Sequence, residues 1–255
     1  MQPEDSKTKL AGKHRESWLP FTIVIPAHNE ANYLPETLDR ITQAFEELQY
    51  DGQIIVVNDS STDATSEVAI SRGAQVVDVE LRNIGAVRNA GAKKCKTPWL
   101  FFLDADTSLP SKTLAAALDQ LAKGFAGGGA AVEIAPTKQL SVFKWAMFYA
   151  IKIGWQSIGG WAAGCFMFCQ REIFESFGGF DEDYLAIEEL FFSRSVSQKG
   201  RFSILRQPVI TSARKLEAYS TWELLRFVTL PITQLGTLFK SKVGLEILYD
   251  DSKSR

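Results

Sequence analysis

Histidine and cysteine are scarce in this sequence. Two histidines and three cysteines stand among 255 residues, and neither type is spaced to hold a metal through nitrogen or sulfur. Cys95, Cys165 and Cys169 supply no C-x-x-C pair, and any disulfide scheme leaves one thiol over. That excludes a zinc ribbon and fits a reducing cytosol. No histidine follows His28, so the second half offers no imidazole ligand. Excess charge of one sign is also lacking: 28 Lys and Arg face 30 Asp and Glu, for a formal net charge of −2. The basic residues are scattered, which argues against a nucleic-acid surface. Finally, no long apolar run exists. The uncharged stretch from Ile153 to Gln170 is interrupted by Gln156, Ser157 and several glycines, whereas a spanning helix needs about 20 predominantly apolar residues. The opening residues carry both charge signs and lack the apolar centre of a signal peptide.

What is present is a globular composition, 45% hydrophobic and 23% charged, with alternating signals for strand and helix. The reading is a flexible tail over 1–18, one domain over 19–215 and a helical extension over 216–255. Phe21 to Ile25, Gln53 to Asn58, Ala74 to Val79 and Trp99 to Leu103 are short apolar runs that predict buried strands. Between them Leu34, Leu38, Ile41, Phe45 and Leu48 recur at helical spacing and predict a helix over about Tyr33 to Gln49. Asp63 is placed to cap the next helix, and Ile84 to Cys95 reads as another. Strands alternating with helices predict an α/β fold with a mostly parallel sheet covered by helices. Further on, Ser111 to Gly124 predicts a helix broken by Gly127-Gly128-Gly129. Ala130 to Ile134, Cys165 to Cys169 and the residues around Val209 and Ile210 predict strands. Val142 to Ile153, Leu185 to Lys199 and Trp222 to Lys240 predict helices, the last interrupted at Pro231.

The chemistry-bearing residues sit where predicted strands end. Phe102-Leu103-Asp104-Ala105-Asp106 is an apolar strand running into two carboxylates. Mg²⁺ or Mn²⁺ takes such hard oxygen donors together with phosphate oxygens. By itself this pair is equally an acidic turn before Pro110. Pro26-Ala27-His28-Asn29-Glu30 leaves the first strand and Asn58-Asp59-Ser60-Ser61-Thr62-Asp63 leaves the second. In a parallel sheet these loops share one edge with Asp104 and Asp106, so five or more carboxylates converge on one rim, a costly crowding without cations or hydrogen-bond donors. Asn83-Ile84-Gly85-Ala86-Val87-Arg88-Asn89-Ala90-Gly91 puts a cation and two glycines near a helix start, suited to approaching phosphate, although an arginine there is equally a solvated ion-pair partner.

Taken in order, these segments resemble the inverting nucleotide-sugar glycosyltransferases of family two, over roughly Thr22 to Arg214. The resemblance implies a GT-A type fold, Rossmann-like, with a nucleotide-binding half over about 19–110 and an acceptor half over about 111–215. It implies that Pro26, His28 and Glu30 line a nucleoside pocket, that Asp59 binds base or ribose, and that Arg88 lies near uracil or diphosphate. Asp104, Ala105 and Asp106 then form the DxD element, with Asp104 and Asp106 on Mg²⁺ or Mn²⁺. Gly164-Cys165-Phe166-Met167-Phe168 and Gly178-Gly179-Phe180-Asp181-Glu182 look like the segments preceding the family's catalytic acidic pair. Here the pair is Glu188-Glu189, where Glu-Asp is usual. Glu189 is the expected base, with Glu188 as alternative. The added methylene moves the acid by about 1 Å, enough to matter in catalysis. Arg214 is a further expected diphosphate contact.

The implied function is metal-assisted transfer of a sugar, with inversion, from a UDP-sugar or a GDP-sugar to a hydroxyl or phosphate acceptor. Two other classes compete: a nucleotidyltransferase on a sugar phosphate, and a noncatalytic nucleotide-sugar-binding protein. The aromatic segment from Phe143 to Trp161 reads as core or as an interfacial surface. The second reading leaves open a lipid-linked acceptor and a cytoplasmic enzyme peripheral to the inner face of a membrane.

Overall fold

The computed structural model describes residues 15–137, 140–141, 143–147, 160–184 and 188–218. A 3-10 turn over Arg15–Ser17 precedes β1 (Phe21–Ala27). Then come α1 (Leu34–Leu48), β2 (Gln53–Asp59), α2 (Thr65–Ser71), β3 (Gln75–Val79), α3 (Ile84–Ala92) and β4 (Trp99–Leu103). The second half holds β5 (Thr107–Ser108), α4 (Ser111–Ala122), β6 (Gly127–Ile134), β7 (Phe166–Gln170), α5 (Arg171–Ser176), α6 (Glu188–Lys199), β8 (Phe202–Thr211) and α7 (Arg214–Ala218).

The eight strands form one sheet in the order β3-β2-β1-β4-β7-β6-β8-β5. β1 pairs in parallel with β2 and β4, β2 with β3, and β6 with β8, whereas β7 runs antiparallel to both β4 and β6, and β5 to β8. Successive side chains of the central strands enter opposite layers. Phe21, Ile23 and Ile25 of β1 and Trp99, Phe101 and Leu103 of β4 pack under α1 and α4, while Val24, Leu100 and Phe102 pack under α3, α5 and α6. Burial on both faces explains why these strands read as continuous apolar runs. The stripe Leu34, Leu38, Ile41, Phe45 and Leu48 of α1 is buried as its spacing predicted.

Several boundaries differ from the sequence reading. Trp18, assigned to the tail, is buried; its Nε1 donates to Asp119 Oδ1 at 2.9 Å, and its carbonyl accepts from Tyr50 Oη. An indole finds a core site regardless of the polar residues before it. The glycine run does not merely break a helix. α4 stops at Ala122, Gly124 turns with φ 77°, and Gly127 opens a strand of eight residues. The reason is close approach: a Cβ on Gly128 would overlap the Ser203 carbonyl of β8 and the Phe168 ring of β7. Gly128→Ala is therefore expected to cost about 1–3 kcal/mol or more, read as a lower midpoint in chemical denaturation, and an unchanged midpoint would show that the strands part freely.

Asp63 is not the N-cap, a position that Ala64 holds. Its Oδ1 accepts from the Thr65 N–H and hydroxyl and its Oδ2 from the Ala31 N–H at 3.0 Å, joining the loops after β1 and β2. Burial works to raise its pKa, but these hydrogen bonds outweigh it and hold the carboxyl below its ordinary value. The three thiols form no disulfide, and burial pushes each of them up, Cys95 to about 11. Residues 143–147 are helical and Phe143 is 64% exposed; the rest of the aromatic segment up to residue 159 and the expected helix over Trp222 to Lys240 lie outside the described residues. Among the described residues no helix is long and apolar enough to cross a membrane.

Candidate active site

The sheet topology decides which loops meet. Parallel β1, β2 and β4 end together, so the segments beginning at His28, Ser60 and Asp104 leave one edge. β7 is antiparallel to β4, with Leu103 opposite Phe166, so Gly164 and Cys165 enter at that edge too, and the Cys165 carbonyl accepts from the Asp104 N–H. β8 returns its carboxyl end there, with Thr211 opposite both Ile134 and Thr107, and delivers Ser212 and Arg214.

Two arginines neutralise the crowded acids. Arg88 is buried, 1% exposed. Its Nη1 donates to Glu188 Oε1 at 2.6 Å and its Nη2 to Asp104 Oδ1 and the Gly164 carbonyl, each at 2.9 Å. It is an ion-pair partner, as one reading from sequence had it, but a buried one instead of a solvated one, with its fork between two carboxylates. The ring of Phe180 lies 5.5 Å from its guanidinium carbon. Burial opposes the charge, but Asp104 and Glu188 outweigh it and raise the Arg88 pKa. The glycines of the same helix serve packing. A Cβ on Gly91 would strike Val24 and Val57 of the sheet, and one on Gly85 would press on Asn83 and Phe180 at 3.3 Å.

The second cation is Arg214. It grips Glu30 with both terminal nitrogens, Nη1 to Oε2 at 2.8 Å and Nη2 to Oε1 at 2.5 Å, and its Nε lies 2.8 Å from Asp106 Oδ2. Ser212 donates its hydroxyl to the same oxygen at 2.7 Å, and Tyr33 lies under the guanidinium at 4.6 Å. Thus Glu30, expected along the nucleoside pocket, is the carboxylate end of a paired clamp. Ala105 points its methyl into the apolar layer under α1, while its carbonyl accepts from Thr37 Oγ1 at 2.7 Å. In the turn that follows β4, Ala105 is buried while Asp104 and Asp106, on either side of it, pair with Arg88 and Arg214.

Glu188 and Glu189 open α6, and the structure separates them. Glu188 is 6% exposed and locked to Arg88, whereas Glu189 keeps partial exposure. Burial, with the charge of Glu188 beside it, pushes the Glu189 carboxyl up to about 8. Its Oε2 lies 3.8 Å from the place a Cβ would occupy on Gly164, so the longer acid fits over a residue that has no side chain.

At the far side of the edge, Asp59 accepts from the backbone N–H groups of Leu81 and Arg82, each at 2.8 Å. His28 Nδ1 lies 2.5 Å from the Asp59 carbonyl, and Arg82 Nη1 lies 2.5 Å from His28 Nε2. Pro26 lies in β1, two positions before His28. Sequence reasoning missed Arg82, Asn83 and Asn89. Asn83 caps α3 through Ala86 N–H and also donates to the Glu182 and Tyr184 carbonyls. Asn89 donates to the Phe180 carbonyl and accepts its N–H. Both asparagines thereby tie α3 to the segment before Glu188. The cap was legible, since asparagine ahead of an apolar helix is a start signal. The second partner of each amide lies about 90 or more residues away in sequence, and no local pattern reveals it.

No group of three His, Cys, Asp or Glu side chains is arranged to hold an ion among the described residues. Two adjacent carboxylates, Asp104 and Asp106, at the rim suit one divalent cation whose remaining positions are filled by phosphate oxygens and water. The donor chemistry therefore fits Mg²⁺ or Mn²⁺ held jointly with a diphosphate.

Comparison with known proteins places the chain. The family model described as glycosyl transferase family 2 matches residues 22–177. An undecaprenyl-phosphate 4-deoxy-4-formamido-L-arabinose transferase of Pseudomonas fluorescens is 38% identical over 111 residues, 41% of this chain and 33% of the relative. An uncharacterized glycosyltransferase of Mycobacterium bovis is 35% identical over 103 residues, 40% of this chain and 44% of the relative. The matches thus span a third to under half of these relatives. Among solved structures, the mannosyltransferase PcManGT from Pyrobaculum calidifontis in complex with GDP-Man and Mn²⁺ superposes with a TM-score of 0.60 at 20% identity, covering 91% of this chain and 69% of that one. S. aureus TarS 1–349 in complex with UDP gives 0.58 at 15% identity, covering 90% and 70%. At these identities the likeness is one of fold, and that fold is of the GT-A type. With the family model running from β1 to just past α5, over more than half of its residues, this chain belongs to glycosyl transferase family 2.

Proposed function

We propose that the protein transfers a glycosyl unit from a nucleoside diphosphate sugar to an acceptor, inverting the anomeric carbon, with a divalent cation at Asp104 and Asp106 and Glu189 as base. One observation carries this: a single buried guanidinium, Arg88, holds Asp104 with one arm and Glu188 with another, so the diphosphate-side acid and the acid pair of α6 are braced against one centre. Glu188 is committed to that brace, which leaves Glu189 to work. A carboxyl raised toward neutrality is a competent base once ionised, able to take the proton of an attacking hydroxyl. His28 and Asp59, with Pro26 beneath them, line the nucleoside pocket. Arg214, anchored by Glu30, sets positive charge beside Asp106 where the diphosphate would lie. A bound Mg²⁺ or Mn²⁺ neutralises charge on the departing nucleoside diphosphate.

Uridine and guanosine donors both fit the reading, since structural neighbours were solved with UDP and with GDP-Man. The name of the Pseudomonas relative specifies a polyprenyl phosphate, and a lipid-linked acceptor, reached by an enzyme peripheral to a membrane, agrees with the exposed Phe143.

Asp106→Ala tests the cation site. Arg214 keeps Glu30 as partner in this variant, so the fold is expected to survive. Calorimetry with Mn²⁺ and nucleoside diphosphate is expected to show binding weakened about 10–100-fold. Binding that is undiminished, or wild-type protein that turns over a nucleoside triphosphate with release of pyrophosphate, would overturn the assignment.

A further inference from the structure

The helix that carries Arg214 is too short to hold itself. An isolated helix below about 12 residues is marginal in water, and α7 has five, yet it presents the cation paired with Glu30 and Asp106. Of the ties at its amino end, the one to Asp106 is shared with the proposed cation. Arg214 Nε lies 2.8 Å from Asp106 Oδ2 but makes no aligned hydrogen bond, so that contact is one of charge alone. A divalent cation arriving at Asp106 competes for the same carboxylate, and this end of α7 is then left to the Glu30 pair.

The carboxyl end is held from elsewhere in the chain. Lys144 Nζ donates to the Leu216 carbonyl at 2.5 Å and reaches the Glu217 carbonyl at 3.5 Å, two of the carbonyls that a helix end leaves without intrahelical partners. Thr137 Oγ1 donates to Glu217 Oε1 at 2.5 Å. An ammonium suits this place, because the carboxyl end of a helix attracts positive charge. Lys144 is itself set in position: Ser141 Oγ accepts its backbone N–H at 3.3 Å, and the Ser141 carbonyl accepts the Trp145 N–H at 3.1 Å, starting the helical turn over 143–147. These bonds cross 72 residues for Lys144 and 80 for Thr137, so α7 is pinned to the segment after β6 and not to its own neighbours.

We infer that Lys144 is a positioning residue for the donor's diphosphate: it pins the carboxyl end of α7 and thereby keeps Arg214 beside Asp106 as cation and donor come and go. This rests on the proposed function, in which Arg214 lies where the diphosphate binds, and adds to it a residue that acts through Arg214. The same lysine follows the exposed Phe143, so the cation of the donor side is tied to a turn of the acceptor half.

The test is calorimetric titration of UDP and GDP, each with Mn²⁺, into the wild type, Lys144→Met, Lys144→Arg, Arg214→Met and the variant combining Lys144→Met with Arg214→Met. Uridine and guanosine are followed by ligand-observed NMR, and circular dichroism checks folding. Lys144→Met is expected to weaken the preferred nucleotide about 3–10-fold and to leave its nucleoside within about twofold, because methionine keeps the stem and removes only the donor. Lys144→Arg restores most of the affinity. In the Arg214→Met background, itself weaker by about tenfold or more, Lys144→Met is expected to add less than about twofold, since nothing is then left to position. Unchanged nucleotide affinity in Lys144→Met, an equal loss for the nucleoside, or losses that add in the combined variant would each overturn the inference with the proposed function intact. Arg214→Met that binds the nucleotide as tightly as the wild type overturns it too and strikes Arg214 from the donor site. Wild-type protein that binds neither UDP nor GDP sinks the proposed function and this inference together.

Discussion

Glu189→Gln is expected to leave nucleotide binding almost untouched and to lower turnover on a hydroxyl acceptor by about 10²–10⁴-fold, the usual contribution of a positioned general base. Glutamine keeps the length and the hydrogen-bonding oxygen, so the fold around Gly164 is preserved and only the proton acceptor is lost. The pH profile adds a second reading. In the folded protein the Glu189 carboxyl holds its proton until about 8, far above its ordinary value of 4.5. The base is therefore mostly protonated at neutral pH before donor and cation arrive, and kcat/KM of the wild type is expected to climb with pH toward about 8. In Glu189→Gln that acidic limb is expected to vanish from the residual activity. The linkage to stability has the opposite sign. An unfolded chain releases this proton near 4.5 while the native state retains it, so this group's contribution to stability falls as pH rises from 4.5 toward 8. A phosphate acceptor is already ionised near neutrality and needs no base, so assaying both acceptor classes separates them: a large loss with hydroxyls alone supports Glu189 as base, and wild-type rates on a hydroxyl acceptor remove it.

Arg88→Met is expected to produce the largest loss of stability, about 3–5 kcal/mol, because it leaves Glu188 and Asp104 without the charge that offsets them. Glu188 is 6% exposed, so little water reaches it to replace that charge. Removing the now unpaired charge should help, so Arg88→Met combined with Glu188→Gln is expected to recover a sizeable part of the deficit. Chemical denaturation of the two single variants and the double variant measures that coupling. Strict additivity would show that the pair is not the brace described above. Activity is expected to fall in the double variant even where stability returns, since the guanidinium that ties Asp104 to α6 is then gone.

The two halves of the site were unequally legible. Asp104 and Asp106 were readable because a five-residue apolar strand runs directly into the turn that carries them, with Ala105 buried between. The α1 stripe and the strands β1, β2 and β4 were readable for the same reason: period decides which face is buried. β6 was truncated in the sequence reading because three glycines carry no strand signal; only the approach of Ser203, Phe168 and Ala162 explains them. The ten-residue β8 was seen only at its end, since Arg206, Gln207 and Pro208 interrupt its pattern. Pairing with β6, including a register shift between Ala130 and Val132, carries it through that interruption.

Residue types and their order along the chain were enough to determine the layered α/β architecture, the acidic rim and the resemblance to a family, because strand ends and helix starts are set by local patterns. Partnership was decided by tertiary structure alone. Which of two adjacent glutamates is buried against Arg88, that Glu30 and Asp106 share Arg214, and that Arg82 leans on His28 all depend on contacts across 54 to 184 residues of chain. Charge pairing is set by distance in space and by exclusion of water, and neither quantity is written in the spacing of a linear sequence.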